Sequence, residues 1–199
     1  MISWAITACN EHEELKRLLE QIESIKKDGD EIIIQLDTNF TEEVKKVTSK
    51  YNPIITSLKG DFANFKNILK KHCTKDYIFF LDADEYLSPE YQIIHDLLKL
   101  NHGIDCWALP RINTVKGIGD RPDLIQKWGW NINSNGWINY PDYQLRICKN
   151  IPEIQWVGKV HERLTGYTEL TELPDSDWSI LHPKQLERQI KQNELYSKL

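Results

Sequence analysis

The sequence predicts an α/β domain with a mainly parallel central sheet flanked by helices, and three observations carry that prediction. Short apolar runs of strand length recur through the first half of the chain: ISWAITA, EIIIQL, PIITS and YIFFL. Between them lie segments whose apolar residues recur every three or four positions, as on one face of a helix. The runs themselves are nearly unbroken rather than alternating, which is how strands covered on both faces read.

Residues 2–8 form the first strand. Leu15, Leu18, Leu19, Ile22 and Ile25 then mark one helical face, and Asn10 with Glu13 has the form of a capping box, so this helix is expected to begin near Glu11. Residues 31–36 are the second strand, and Thr41 caps the helix that follows. Residues 53–57 are the third strand, followed by a stripe of Phe62, Phe65, Ile68 and Leu69 behind Asp61 as cap. Residues 77–81 are the fourth. Ser88 then caps a helix with Pro89 at its first position. Beyond it the pattern changes. Residues 105–113 read as a strand, and residues 114–140 as a long polar loop holding Trp128, Trp130 and Trp137, a length that usually signals function or mobility. Residues 143–148, 154–157 and 178–181 read as further strands and 184–199 as a polar terminal helix. No repeat, linker or low-complexity tract interrupts the chain, so residues 1–199 are read as a single domain.

Composition narrows the function classes. A chain of 199 residues with 40% hydrophobic content buries one core. A net charge of -5 gives no basic footprint, which argues against a nucleic-acid coat or a polybasic membrane anchor. Cys9, Cys73, Cys106 and Cys148 show no CxxC and no Cys/His spacing, so they read as core residues in a reducing compartment rather than zinc ligands. The N-terminus lacks a basic leader and no run is long enough to span a membrane; the chain reads as soluble and cytoplasmic.

The stretch FFLDADEYL runs an apolar strand straight into carboxylates. In a parallel sheet, ligands bind beyond the carboxyl ends of the strands. Strand alternation puts Asp82 and Asp84 on one side and Ala83 on the other, offering two hard oxygen ligands to Mg2+ or Mn2+, which complete their shells with water and phosphate oxygens. The plain alternative is acids that cap the next helix or solvate a turn.

TACNEHEEL, EIIIQLDT, DFANFKNILKKHCTKDYIFFLDADEYLSPE, PDYQLRICKN and WVGKVHERL, in that order, resemble glycosyltransferase family 2 of the GT-A fold, in particular short bacterial and phage members related to lipopolysaccharide core glucosyltransferases. The resemblance covers residues 1–90 closely and 140–185 more loosely. It implies a nucleoside diphosphate sugar donor, a uridine-based one first, an acceptor with a free hydroxyl, and Mn2+ or Mg2+ as cofactor. It places Thr7, Asn10, Glu11, Asp37, Lys66, Asn67, Asp82 and Ala83 in nucleotide-sugar binding, within a donor half of residues 1–100. Lys66 stands where the family often has Arg, losing the bidentate fork. Asp37, Thr38, Asn39 and Phe40 replace the usual Asp-Thr-Gly-Ser.

An inverting transfer, as the resemblance implies, needs a leaving-group stabiliser and a base for the acceptor hydroxyl. Asp82 and Asp84 would hold the metal, with His182 completing its shell as a late histidine does in several GT-A enzymes. The base is expected from the acceptor half, residues 101–199, where Asp142 and Glu162 both qualify, and His161 would orient the diphosphate or the acid. Trp128 and Trp130 are candidate acceptor contacts, the alternative being a loop folded on its own hydrophobic cluster. Glycan, lipid-linked saccharide, protein and a modified DNA base all stay open as acceptors. The rival readings are a non-catalytic nucleotide-sugar-binding module and a phosphotransferase using an aspartyl nucleophile, although the latter class carries its motif on the first strand rather than the fourth.

Overall fold

The computed structural model of this chain describes residues 1–174 and 177–196, with side chains as far as residue 194. Its elements are, in order, β1 (Ile2–Ala8), α1 (His12–Ile25), β2 (Glu31–Asp37), α2 (Glu42–Thr48), β3 (Ile54–Thr56), α3 (Phe62–His72), β4 (Tyr77–Asp82), β5 (Tyr86–Leu87) and α4 (Ile94–Leu100). There follow β6 (Cys106–Leu109), β7 (Arg111–Lys116), α5 (Pro122–Trp128), β8 (Gln144–Lys149), β9 (Gln155–Val157), β10 (Arg163–Thr165), β11 (Leu170–Glu172), β12 (Ile180–Gln185) and α6 (Leu186–Tyr196).

Seven strands form one mixed sheet in the order β11-β6-β8-β4-β1-β2-β3, in which only β8 runs against its neighbours. The expected mainly parallel α/β architecture is therefore present as a single domain. Strand alternation divides the core in two. Ile2, Trp4 and Ile6 of β1 and Phe79 and Leu81 of β4 meet Leu15, Leu18 and Ile22 of α1 on one face. Ala5, Ile78 and Phe80 meet Leu69 of α3 and Trp156 of β9 on the other. Three of the cysteines are buried and all four are free; burial pushes the Cys73 thiol up to about 12, so it behaves as a small apolar residue.

Two predicted caps are seen: Thr41 Oγ1 accepts the Val44 N–H at 3.4 Å and Asp61 Oδ1 the Asn64 N–H at 2.9 Å. Two are not. Helix α1 starts at His12 with no side-chain cap, because the Glu11 carboxylate turns back to take the N–H groups of Cys9 and Asn10 at 2.8 and 2.9 Å. The Ser88 hydroxyl donates to the Asp177 carbonyl, and the chain makes a 3-10 turn over Pro89–Ile93 before α4.

The second half departs further from expectation. The run 105–113 is cut at Pro110, which has no N–H to donate, into β6 of the large sheet and β7 of a small sheet ordered β5-β12-β7. The expected strand at 178–181 begins at Ile180 and continues to Gln185, since parallel pairing with β7 extends to Gln185 opposite Lys116. Lys184 therefore belongs to a strand rather than the terminal helix, whose predicted last residues, 197–199, lie outside the described residues. The segment 114–140 is not an open loop. It carries α5 and a third cluster of Val115, Ile118, Leu124 and Ile138, with Trp128, Trp130, Leu186 and Ile190 packed against it.

Candidate active site

Strand β4 delivers Asp82 to the carboxyl edge of the sheet, where its register partner on β1 is Thr7. The Thr7 hydroxyl donates to Asp82 Oδ1 at 2.9 Å, Lys66 Nζ lies 3.6 Å from the same oxygen, and Arg146 Nη2 donates to Oδ2 at 2.7 Å. Burial works against the Asp82 anion, but the Arg146 and Lys66 charges prevail and hold its carboxyl well below the usual range. Arg146, on β8, also donates to Glu85, whose other oxygen accepts the Asp82 N–H at 3.0 Å. Arg146 and Glu85 are both buried, forming an ionic floor under the strand end.

The chain turns immediately after Asp82, so strand alternation does not reach Asp84 and the two acids do not share partners. This corrects the expected paired ligands on one strand face. Asp84 is buried and faces the small sheet: its Oδ2 lies 3.5 Å from His182 Nε2, 3.9 Å from Lys184 Nζ and 3.3 Å from Arg188 Nη2. Burial would raise its pKa; the hydrogen bond and charge of His182, together with Lys184, lower it well below the ordinary carboxylate value. Lys184 in turn is pulled below the usual ammonium range by burial and by Arg188 and Arg111.

Behind His182 stands Asn113, its direct register partner across β7 and β12. His182 Nδ1 is 2.8 Å from Asn113 Oδ1, and Asn113 Nδ2 donates to Asp142 Oδ2 at 2.6 Å. The same Asp142 oxygen accepts Arg111 Nε and Nη2 at 3.0 and 2.8 Å, while Oδ1 accepts Gln144 Nε2 at 3.0 Å. Asp142 holds a positive φ of 36°, a conformation that costs free energy in a non-glycine residue and is met most often at functional sites.

The remaining predicted residues fall in three places. Asp37, at the end of β2, accepts the Leu58 N–H at 3.0 Å and Asn39 Nδ2 at 3.2 Å, tying β2 to the loop before α3. Asn10 is exposed two residues beyond the end of β1, and Glu11 Oε1 accepts Arg188 Nη2 at 2.7 Å. Ala83 is buried, its N–H extending the β1 ladder to the Thr7 carbonyl at 3.0 Å. On α3, Lys66 is buried, 2.7 Å from Glu162 Oε1 and 4.7 Å above the Trp156 ring, while the Asn67 amide is spent on both backbone groups of Trp156 at 2.8 and 2.9 Å. His161 precedes Glu162 on the exposed turn between β9 and β10 with φ 57°. Trp128 and Trp130, ring centroids 4.6 Å apart, lie half-buried on the third cluster.

Sequence reasoning missed Arg111, Asn113, Arg146, Lys184 and Arg188. Four of them stand two positions from another site residue on a strand: Arg111 with Asn113, and Lys184 with His182. Arg146 likewise follows Gln144. That period-2 polar spacing on strands β7, β8 and β12 was the available signal.

For a divalent cation the test is the Asp84–His182 pair. Among the described residues no group of three or more His, Cys, Asp or Glu side chains converges as a ready-made cage. A carboxylate and an imidazole facing each other still suit a hard or borderline cation that draws its other ligands from phosphate and water. The pair fits such an ion as a two-ligand site once Arg188 and Lys184, 3.3 and 3.9 Å from the same Asp84 oxygen, give way to it.

A family model described as glycosyl transferase family 2 matches residues 3–154. Among solved structures, a fragment of S. aureus TarS in complex with UDP superposes with TM-score 0.60 and 15% identity over 92% of this chain and 60% of that one. The same fragment with UDP-GlcNAc gives TM-score 0.60 and 14% identity over 92% and 58%, and a longer TarS structure 0.57 and 13% over 92% and 36%. The chain thus spans about 60% of the length of the first of these structures. No curated protein sequence matches it.

Proposed function

This chain belongs to glycosyl transferase family 2, and from that premise we propose that it transfers a sugar from a nucleoside diphosphate donor to an acceptor hydroxyl with inversion. The observation that carries the reading is Asp82 at the carboxyl edge of a parallel sheet, the place where such folds take nucleotides, followed two residues on by the Asp84–His182 pair. The donor is a uridine diphosphate sugar, a choice supported by the UDP ligands of proteins sharing the fold. Its nucleoside lies across the ends of β1 and β2, against Asn10 and Asp37. Thr7 and Arg146 act on Asp82, fixing its carboxylate for the ribose or sugar.

Asp84 and His182 would hold Mn2+ or Mg2+. When bound, that ion supplies Lewis-acid stabilisation of the leaving diphosphate. Asp142 is the base in this reading. Its strained backbone and its fixed Oδ2 leave Oδ1, with the Gln144 amide alone on it among the described residues, to take the acceptor proton. Glu162 is neutralised by Lys66 and serves, with His161, to shape the wall opposite β7. Trp128 and Trp130 border the acceptor. The acceptor in this reading is a hydroxyl on a glycan or lipid-linked saccharide.

The test is a panel of sugar nucleotides assayed by thermal shift and by donor hydrolysis, with and without manganese. A donor that binds the native state raises the midpoint by mass action. Manganese-dependent stabilisation by one uridine diphosphate sugar, together with its hydrolysis, is the expected result. Binding without turnover under any acceptor would leave a nucleotide-sugar-binding module instead.

A further inference from the structure

The chain Asp142–Asn113–His182–Asp84 connects the proposed base to the proposed metal ligands by consecutive contacts of 2.6, 2.8 and 3.5 Å. Its direction follows from elementary hydrogen-bond chemistry. A carboxylate only accepts, so the group Asn113 turns to Asp142 is its amide N–H, and the group left for His182 is the amide oxygen. That oxygen also only accepts, so His182 Nδ1 carries the hydrogen and donates. The nitrogen that Asn113 leaves free, Nε2, is the one that faces Asp84 Oδ2. When the ring is protonated it donates to Asp84, and when the ring is neutral its lone pair and the carboxylate are two electron-pair donors opposed across a gap, as a cation site requires.

We infer that Asn113 is a positioning residue: it reads the carboxylate of Asp142 through one end of its amide and, through the other, locks His182 in the Nδ1–H form that presents Nε2 to a divalent cation. This role rests on the metal reading given above. The geometry leaves Asn113 little freedom. Its carbonyl is held by the Ile138 N–H at 2.9 Å, its backbone is paired with β12 in register, and Arg111, two residues earlier, holds the same Asp142 oxygen from the other side. Partners that orient a metal-bound histidine in this way commonly change metal affinity 10- to 100-fold when removed.

The experiment records the ring-nitrogen resonances of His182 by long-range 1H–15N correlation, assigned through loss of its signals in His182→Gln, and manganese affinity by calorimetry without donor. At a pH where the ring is neutral, the wild type is expected to show the Nδ1–H tautomer. Asn113→Ala is expected to lose that tautomer and weaken manganese binding about 10- to 100-fold. Asn113→Asp keeps an acceptor oxygen opposite Nδ1 and is expected to retain the tautomer, while placing a second carboxylate against Asp142 and slowing transfer. An Nε2–H tautomer in the wild-type protein overturns the inference without any variant having to fold. Manganese that binds wild type and Asn113→Ala equally overturns the role of Asn113 alone. Manganese that does not bind the wild type removes the metal reading and this role together.

Discussion

Replacing Arg146 with Met tests the ionic floor under the candidate site. Arg146 is 3% exposed and Glu85 fully buried, and burial alone would lower the guanidinium pKa; Asp82 and Glu85 instead raise it above its ordinary value. A methionine of similar length keeps most of the packing but leaves Glu85 with the Asp82 N–H at 3.0 Å and Arg111 Nη1 at 3.5 Å, while Asp82 keeps Thr7 and a distant Lys66. Stranding one partner of a buried ion pair costs about 3–5 kcal/mol. With a urea m-value of about 2 kcal/mol/M, the unfolding midpoint should fall by about 1.5–2.5 M. Adding Glu85→Gln removes the stranded charge, so the double variant is expected to recover about 1–2 kcal/mol of that loss, a coupling read from the full cycle of single and double variants. The reasoning is refuted if Arg146→Met unfolds within about 1 kcal/mol of wild type, or if the double variant is no more stable than the single.

Asp84→Asn exchanges an anionic ligand for a neutral amide at the same shape, and manganese affinity and transfer should fall together with the fold intact; unchanged metal dependence in calorimetry would remove Asp84 from the metal site. Asp142→Asn should bind manganese and donor yet lose transfer by about two orders of magnitude or more, whereas Glu162→Gln should not; the reverse pattern in single-turnover rates moves the base to Glu162. Trp130→Ala should impair acceptor use while donor hydrolysis continues, and a lowered unfolding midpoint with both activities lost would assign the ring to the third cluster alone. Asp30 accepts the Ile2 and Lys27 N–H groups at 2.8 and 3.1 Å and lies 2.6 Å from His95 Nε2; burial opposes its anion, yet these bonds lower its pKa. Its contribution is therefore full above the unfolded carboxylate value of about 4 and is lost as pH falls through the lower folded value. Asp30→Asn should be less stable than wild type at neutral pH, with the gap closing on acidification; a gap independent of pH would contradict this.

What the sequence determined by itself was the architecture of the first half of the chain. β1 to β4, the helices between them, and the caps Thr41 and Asp61 were legible because each is governed by local rules: apolar runs of strand length, a 3.6-residue stripe, a hydroxyl or carboxylate within reach of its own helix. The position of Asp82 at a strand end was legible for the same reason. What only the tertiary structure decided lies in the small sheet. The placement of Lys184 in β12, the split of residues 105–113 at Pro110, and the meeting of Asn113 with His182 all depend on pairing between strands 69 residues apart in sequence. Local pattern could not show that Asp84 leaves the strand and turns toward β12, nor that Asn67 is consumed by Trp156, because both depend on which distant backbone arrives beside them. Residues 114–140 misled for a related reason: their apolar residues keep no single period and stand among polar ones, so they do not announce a core, yet Val115, Ile118, Leu124 and Ile138 become one once Leu186 and Ile190 of α6 pack against them.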